Sequence, residues 1–205
     1  MNRQSCFRCR RPKINCYCDL IRQVSPPFRL VILLHPREAK KSINTGRMTH
    51  FAVAGSQLVE GIDFSDNDRV NRLLEEADAS YLMFPSAGAL ELKKAPIFEG
   101  SVPTFFVIDG TWANARKMLS LSHNIAKLPR LCLPKGPPSD YRIRRQPKGH
   151  CYSTIETVDI LLKSHGSEPE QGAFLDPFEF MVERQLSFLS ENSHHQGARR
   201  DESSK

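Results

Sequence analysis

The chain has 205 residues, of which 40% are hydrophobic, and this is enough for one packed domain with a small appendage. No apolar run reaches the ~20 residues that a membrane span needs, and the N-terminus lacks the apolar region of a signal peptide. We therefore expect a cytoplasmic protein without a membrane partner, whose six cysteines do not form disulfides.

The net charge of +6 is distributed unevenly along the chain. Residues 1–22 carry a net charge of +5, residues 37–47 carry +3 and residues 135–150 carry +4, which leaves −6 for the remainder. A single basic loop is usually no more than a solvated surface. Three short basic segments together favour a polyanionic partner such as a nucleic acid.

Four cysteines lie close together near the N-terminus with the spacing C-x2-C-x6-C-x-C, namely Cys6, Cys9, Cys16 and Cys18. Four thiolates at such spacing suit a tetrahedral, structural Zn²⁺ with no open coordination position. Reduced structural thiols and a redox pair are the alternatives. We expect a zinc-binding knuckle over residues 1–25, whose basic side chains would grip RNA. For Cys132 and Cys151 simple burial is the default expectation.

Strands and helices alternate along the rest of the chain. Apolar runs predict strands over 28–34, 81–84, 102–108 and 131–133. Helical patterns begin near Thr45 and cover 66–78, 111–128, 153–165 and a segment from Asp176 onward. The basic segment 134–150 predicts a loop, and the polar residues 193–205 predict a disordered tail. This alternation predicts an α/β fold with a mostly parallel sheet and helices on both faces, but not the strand order.

Three turns follow three of these strands, at His35-Pro36, at Phe84-Pro85-Ser86 and at Asp109-Gly110-Thr111-Trp112. In a parallel sheet they share one edge and enclose a crevice, where ligands bind. The chain lacks the glycine-rich loops that cradle dinucleotides or triphosphates. A pocket walled by Phe84, Pro85 and Trp112 suits a flat apolar base such as adenine. Asp109 as a helix cap, Trp112 as a core residue and His35 as a buried, hydrogen-bonded histidine are the alternatives.

The order of these motifs resembles that of the DTW-domain family. The motifs are the paired cysteines, His35-Pro36-Arg37-Glu38, Asn44-Thr45-Gly46, Phe84-Pro85-Ser86, Asp109-Gly110-Thr111-Trp112, Tyr141-Arg142-Ile143-Arg144 and Ser153-Thr154-Ile155-Glu156. One Asp-x-Thr-Trp motif is weak evidence, whereas seven motifs in the family's order, over residues 5–190, are strong evidence.

The resemblance implies a catalytic domain over 26–192, related to the knotted α/β fold of SPOUT RNA-modifying enzymes. It implies transfer of the 3-amino-3-carboxypropyl group of S-adenosylmethionine to N3 of a tRNA uridine in the variable loop, at tRNA position 47. Methylthioadenosine would be the by-product. Zn²⁺ would be structural, tRNA would be the partner, and the protein would be a monomer or a homodimer.

The resemblance also assigns roles to individual residues. Asp109 is the catalytic group, either as a base for the N3 proton or as an anchor for the ammonium of the methionine moiety. The residues assigned to S-adenosylmethionine are Thr45, Phe84, Pro85, Ser86, Trp112, Leu133 and Tyr141. The residues assigned to tRNA phosphates are Arg37, Arg47, Arg142, Arg144, Arg145 and Lys148.

Three other functions are compatible with the same residues. The chain could modify ribosomal RNA by the same transfer, or it could methylate RNA with the same cofactor. A methyltransferase releases S-adenosylhomocysteine, so the by-product separates these reactions. The third alternative is an RNA-binding protein with a zinc knuckle and no catalysis.

Overall fold

A computed structural model of the protein describes residues 4–92, 101–143, 151–167 and 173–201, with side chains as far as Leu189. In this part of the chain one parallel sheet has the strand order β2-β1-β5-β3-β6-β4. The strands are β1 Arg29–Leu34, β2 Gln57–Glu60, β3 Ser80–Met83, β4 Leu90–Glu91, β5 Thr104–Asp109 and β6 Arg130–Cys132.

The α-helices are α1 Pro36–Ala39, α2 Thr45–Ala52, α3 Asp68–Glu75, α4 Trp112–Leu121, α5 His123–Ala126, α6 Thr154–Ser164 and α7 Asp176–Asp201. Among the described residues, none of these helices combines the length and the apolarity that crossing a bilayer requires.

Helices cover both faces of the sheet, as predicted. Ile32 and Phe105 belong to a core that includes residues of α2, α6 and α7. Their neighbours along the strands, Leu33 and Phe106, belong to a second core that includes residues of α3, α4 and α5. Because successive side chains of a strand point to opposite faces, a strand covered on both sides must be apolar throughout. This explains the uninterrupted apolar runs in β1 and β5.

The N-terminal segment packs against the first of these cores. It contains two short 3-10 helices, Lys13–Asn15 and Cys18–Leu20. Cys9 and Tyr17 are fully buried and belong to the same core as Ile32 and Phe105. The cysteine-rich segment is therefore fastened to the sheet domain by apolar packing.

The predicted helix over 111–128 was wrong as a single element. It is divided into α4 and α5 at Ser122, whose backbone leaves the helical region with φ −86° and ψ 86°. The Ser122 hydroxyl accepts a hydrogen bond of 3.0 Å from the backbone N–H of Phe64. The break therefore ties the helix pair to the loop that follows β2.

Two further differences concern short and terminal elements. Strands β2 and β4 were not predicted, because neither forms an uninterrupted apolar run: β2 begins with Gln57 and ends with Glu60, and β4 is only Leu90–Glu91. Helix α7 continues to Asp201, whereas a disordered tail was predicted from residue 193. The division of the chain into a knuckle, a catalytic domain and a tail stays a prediction.

Candidate active site

A crevice opens where the connections of two neighbouring strands leave in opposite directions. Strand β1 leads to β2 on one side, whereas β5 leads to β6 on the other side. Asp109 ends β5 opposite Leu34, which ends β1. The backbone N–H of His35 donates to the Asp109 carbonyl at 2.9 Å, which closes the strand pair. Ligands of open α/β sheets bind at such a position.

The carboxylate of Asp109 is held by the beginning of α2. Its Oδ2 accepts hydrogen bonds from the backbone N–H of Gly46 at 2.8 Å and from Nδ2 of Asn44 at 2.9 Å. Only 6% of Asp109 is exposed. The first backbone N–H groups of a helix carry partial positive charge, so they stabilise an ionised carboxylate. Asn44 also caps α2, since its Oδ1 accepts from the N–H of Arg47 at 2.7 Å.

Gly46 is the residue that makes this contact possible. A Cβ atom added to Gly46 would lie 2.1 Å from Oδ2 of Asp109 and 2.9 Å from its Cγ, far inside van der Waals contact. The backbone of α2 therefore approaches the carboxylate as closely as only glycine allows. The 44–46 motif and the 109–112 motif form one constellation.

Two adjacent cavities, which share Phe84, Pro85 and Trp112 in their walls, lie at this end of the sheet. The smaller, of about 120 Å³, is lined by Asp109, Gly110, Trp112 and the first residues of α6, among others. The larger, of about 450 Å³, extends past Trp112 towards Leu133 and Lys135. The second volume is within the range of pockets that bind nucleotide-sized molecules.

The structure brings together four of the residues that were assigned to the cofactor. Phe84, Pro85 and Trp112 line both cavities, and Leu133 lines the larger one. The rings of Phe84 and Trp112 meet edge to face with centroids 5.9 Å apart. They form an apolar wall beside Asp109, and their cofactor role stays a prediction.

The other three residues assigned to the cofactor lie elsewhere. Thr45 is buried in the first turn of α2, next to Gly46. Tyr141 is buried with its ring 5.4 Å from that of Phe178, in the core beneath α7. The Ser86 hydroxyl is buried, and within the described residues it has no hydrogen-bond partner. None of the three lines either cavity.

Among the residues assigned to RNA, Arg37 is exposed at the start of α1, but Arg47 is buried with 6% exposure. The Arg47 guanidinium donates to the backbone carbonyls of Ala39 and Lys41, so it fixes the segment between α1 and α2. This arrangement removes Arg47 from the surface that a polyanion could contact.

Arg142 is exposed, but its surroundings are acidic. It lines a cavity of about 230 Å³ together with Asp140, Glu179 and Glu183. Burial and the carboxylates of Asp176, Asp140 and Glu183 raise the pKa of Glu179. Arg144, Arg145 and Lys148 lie outside the described residues.

His35 has a structural role in this conformation. Its Nδ1 accepts a hydrogen bond of 3.1 Å from the backbone N–H of Arg37 and thereby caps α1. Burial and the positive charge of Arg37 lower the pKa of His35. The Nδ1 atom that accepts this hydrogen bond carries no proton, in agreement with the interpretation of His35 as a buried, hydrogen-bonded histidine.

Sequence reasoning missed several residues around the cavities. The 44–46 motif was recognised, but no sequence signal showed that Asn44 and Gly46 contact Asp109. Cys132 and Cys151 are half-buried and line the larger cavity, so simple burial does not describe them fully. Tyr152 and Thr157 also line both cavities, and the capping-box motif at 153–156 was the available signal for that wall.

The four N-terminal cysteines form a compact cluster. The Sγ atoms lie within 4.8 Å of one another, with Cys6 and Cys18 3.8 Å apart and Cys9 and Cys16 3.7 Å apart. A tetrahedron with Zn–S bonds of about 2.3 Å has edges of roughly 3.8 Å. The cluster therefore fits a four-thiolate metal ion. Backbone N–H groups of Cys9 and Arg8 lower the pKa of Cys6 to about 6, whereas burial raises the pKa of Cys16 and of Cys18.

Comparison with known proteins identifies the family. The model of the DTW domain matches residues 3–186. The chain belongs to the DTW-domain family.

Three curated relatives carry the name tRNA-uridine aminocarboxypropyltransferase 2. The Drosophila melanogaster protein is 31% identical over 177 residues, which are 82% of this chain and 69% of the relative. The Mus musculus protein is 28% identical over 170 residues and the Macaca fascicularis protein 25% over 169, in each case 78% of this chain and 56% of the relative. The chain thus matches little more than half of the two mammalian proteins. No solved structure gives a significant match.

Proposed function

We propose that this DTW-domain protein transfers the 3-amino-3-carboxypropyl group of S-adenosylmethionine to N3 of a tRNA uridine. The observation that carries the proposal is the buried Asp109 carboxylate at the carboxyl end of β5, which lines a small cavity adjoining a second cavity of about 450 Å³. The names of the relatives support tRNA uridine as the acceptor. The variable loop, at tRNA position 47, is the acceptor that we infer within tRNA.

The larger cavity is the place that we propose for the adenosine of S-adenosylmethionine. Phe84, Pro85 and Trp112 offer apolar surface to the adenine, and Leu133 offers backbone groups at the end of β6. When bound, S-adenosylmethionine supplies the aminocarboxypropyl group and leaves as methylthioadenosine. The smaller cavity then holds the methionine moiety next to Asp109.

The contacts of Asp109 bear on its role. A uridine N3 that forms a new N–C bond loses its proton, so a group or the solvent must accept that proton. A carboxylate whose Oδ2 accepts from Gly46 and Asn44 is stabilised in its charged form. An ionised carboxylate also binds an ammonium group well. Of the two roles, these contacts favour Asp109 as the anchor for the ammonium of the methionine moiety.

The cysteine cluster is proposed to hold one structural Zn²⁺. The donor set consists of four thiolates whose separations match a tetrahedral site. A closed set of four protein ligands leaves no position for substrate. Its contribution is to stabilise the knuckle and the surface that the knuckle presents.

The activity is tested by incubating the protein with S-adenosylmethionine and unmodified tRNA. We expect 3-(3-amino-3-carboxypropyl)uridine in the digested tRNA and methylthioadenosine in equal amount, both measured by mass spectrometry. S-adenosylhomocysteine with a methylated base would instead establish a methyltransferase. The same reaction with ribosomal RNA in place of tRNA tests the choice of acceptor.

The role of Asp109 is tested with Asp109→Asn, because methylthioadenosine lacks the ammonium-bearing group. If Asp109 is the anchor, the variant loses roughly tenfold or more in affinity for S-adenosylmethionine and retains its affinity for methylthioadenosine. If Asp109 is the base, both affinities persist and kcat falls by about 10²–10⁴. Asp66→Asn, at an exposed position before α3, is the control.

A further inference from the structure

The most exposed large apolar side chain in the described part of the chain lies on the cysteine knuckle. Phe7 is 102% exposed, in the turn between Cys6 and Cys9. Ile14 is 78% exposed on the same knuckle. Burying a solvent-exposed phenylalanine side chain against a partner would contribute about 1.5–3 kcal/mol of favourable free energy. Such a residue is available to a partner, and its turn is closed by a hydrogen bond of 2.8 Å from the N–H of Arg10 to the carbonyl of Cys6.

The surroundings of Phe7 are basic. Arg8, Arg10 and Lys13 are exposed, with Asp19 as the exposed acid on the same segment. Arg8 follows Phe7 in sequence, and its guanidinium lies over the ring of Phe51, 4.8 Å from the centroid. An exposed aromatic ring flanked by cations is the combination that binds single-stranded nucleic acid, with the ring stacked on a base and the cations near phosphates.

The knuckle is attached to the same helices that build the candidate active site. Nη1 of Arg10 donates to the carbonyl of Ala39, the last residue of α1, at 3.4 Å. Phe51, which Arg8 covers, lies on α2, whose first turn holds Asp109 through Gly46. The knuckle therefore contacts both α1 and α2, so an RNA bound at Phe7 is positioned relative to the crevice at Asp109.

We propose that Phe7 stacks on an unpaired base of the RNA substrate while Arg8 and Lys13 contact the adjacent phosphates. This inference rests on the proposed function, since it assumes a tRNA substrate. The basic flank favours RNA over a protein partner, because the exposed Arg8, Arg10 and Lys13 against the single exposed acid Asp19 suit a polyanionic backbone. The knuckle would thereby contact an unstacked base of the RNA as well as its phosphate backbone.

The test compares Phe7→Ala, Phe7→Tyr and Arg8→Ala for tRNA binding over a series of salt concentrations. Stacking on one base is worth roughly 5- to 150-fold in affinity by alanine substitution, which is about 1–3 kcal/mol. We expect Phe7→Ala to weaken tRNA binding by this factor without changing the salt dependence of binding. Phe7→Tyr, which keeps an aromatic ring, should bind tRNA as tightly as the wild type. Arg8→Ala should instead reduce the slope of log K against log salt by about 1.

Three controls keep the outcome interpretable. Phe188→Ala removes another exposed phenylalanine, 55% exposed on α7, and should leave tRNA binding unchanged. The KM for S-adenosylmethionine and the zinc content of Phe7→Ala should equal those of the wild type, because Phe7 has no packing to lose. Sedimentation of the wild type and Phe7→Ala shows whether the ring instead contacts a second copy of the chain.

The proposal is overturned if Phe7→Ala binds and modifies tRNA as the wild type does, or if its only effect is on self-association. That result differs from failure of the proposed function, in which the wild type itself transfers no aminocarboxypropyl group. It also differs from misfolding, in which Phe7→Ala would lose zinc.

Discussion

Asp109 and Gly46 depend on each other at the scale of single residues. A Cβ added to Gly46 would lie only 2.1 Å from the carboxylate oxygen, so any side chain there must displace Asp109 or the start of α2. We expect Gly46→Ala to lower kcat/KM for the transfer by about 10²-fold, because a misplacement of the order of 1 Å costs that much. Steady-state kinetics with tRNA as the substrate measures this change in kcat/KM.

Gly110→Ala is the matched control for this prediction. It lies in the same constellation, but an added Cβ would meet its nearest atoms at 3.4 Å. We expect less than about a tenfold loss for Gly110→Ala, because neighbours at that distance need to move only slightly. Equal losses for the two variants would mean that Gly46 has no special relation to Asp109.

His35 should contribute to the pH dependence of stability. Burial lowers the pKa of His35 in the folded protein. As the pH falls below about 6.5, the unfolded chain therefore binds a proton at this histidine more readily than the folded chain does. Stability from this residue is therefore complete above about pH 6.5 and is lost as the pH falls further. We expect the melting temperature to drop less between about pH 7.5 and 5.5 in His35→Asn, whose side chain can still cap α1. An identical drop in both proteins would contradict this role.

The sequence patterns predicted which residues lie at the site better than they predicted the contacts that those residues make. Asp109 and Trp112 were predicted at a strand end, and they lie there beside the cavities. Arg47, in the basic segment 37–47, was assigned to tRNA phosphates. Its burial depends on two backbone carbonyls near the end of α1, and no local pattern records such a tertiary contact.

At the scale of elements, the start of α6 supports one wall of the cavities. Ser153 and Glu156 form a complete capping box. The Glu156 carboxylate accepts from the N–H and the hydroxyl of Ser153, each at 2.6 Å, from the hydroxyl of Ser139 at 2.9 Å and from the N–H of Asp140 at 3.0 Å. One buried carboxylate thus joins the helix to the loop that follows β6.

Replacing these two residues should have unequal effects on stability. Ser153→Ala removes a helix cap and should lower the free energy of unfolding by about 1 kcal/mol. Glu156→Ala leaves the two buried donors of Ser153 and the half-buried donors of Ser139 and Asp140 without this acceptor, and should cost about 2–4 kcal/mol. Urea unfolding measures both, with Ser120→Ala on the exposed side of α4 as control. A smaller effect for Glu156→Ala than for Ser153→Ala would refute the proposed link.

Element boundaries followed from the sequence where the pattern was strong. The central strands β1 and β5 are buried on both faces, so their apolar runs were unmistakable. The capping box gave the start of α6, and the Asp-Pro pair gave that of α7. The break between α4 and α5 was missed, because it comes from the hydrogen bond between Ser122 and a loop 58 residues away in sequence.

At the scale of the whole molecule, the knuckle is part of the packed protein. Cys9 and Tyr17 are fully buried in the core that also contains α2, α6 and α7. We expect Cys9→Ser to lose its zinc and to melt at a lower temperature, because the metal stabilises the folded state that binds it. Elemental analysis and thermal melting measure the two effects.

Cys132→Ser is the matched control, since Cys132 lies outside the cluster. It should retain the zinc content of the wild type. A Cys9→Ser protein with full zinc content, or a metal-free wild type with an unchanged melting temperature, would refute a structural metal site.

The parallel sheet with helices on both faces followed from the alternation of apolar and amphipathic segments. The strand order could not be predicted in this way, because the pairing of β5 with both β1 and β3 depends on contacts between residues that are distant in sequence. This order places the Asn44–Gly46 turn beside Asp109 and opens the crevice. The family resemblance supplied the chemistry that no pattern of charge or periodicity contains.

The fate of two labels on S-adenosylmethionine tests the central claim most directly. One sample carries the label in the carboxyl group of the methionine moiety and the other carries it in the S-methyl group. For aminocarboxypropyl transfer, we expect the carboxyl label in tRNA and the methyl label in methylthioadenosine, with both signals strongly reduced in Gly46→Ala. Methyl label in the tRNA, or no label from either sample, would contradict aminocarboxypropyl transfer by this protein.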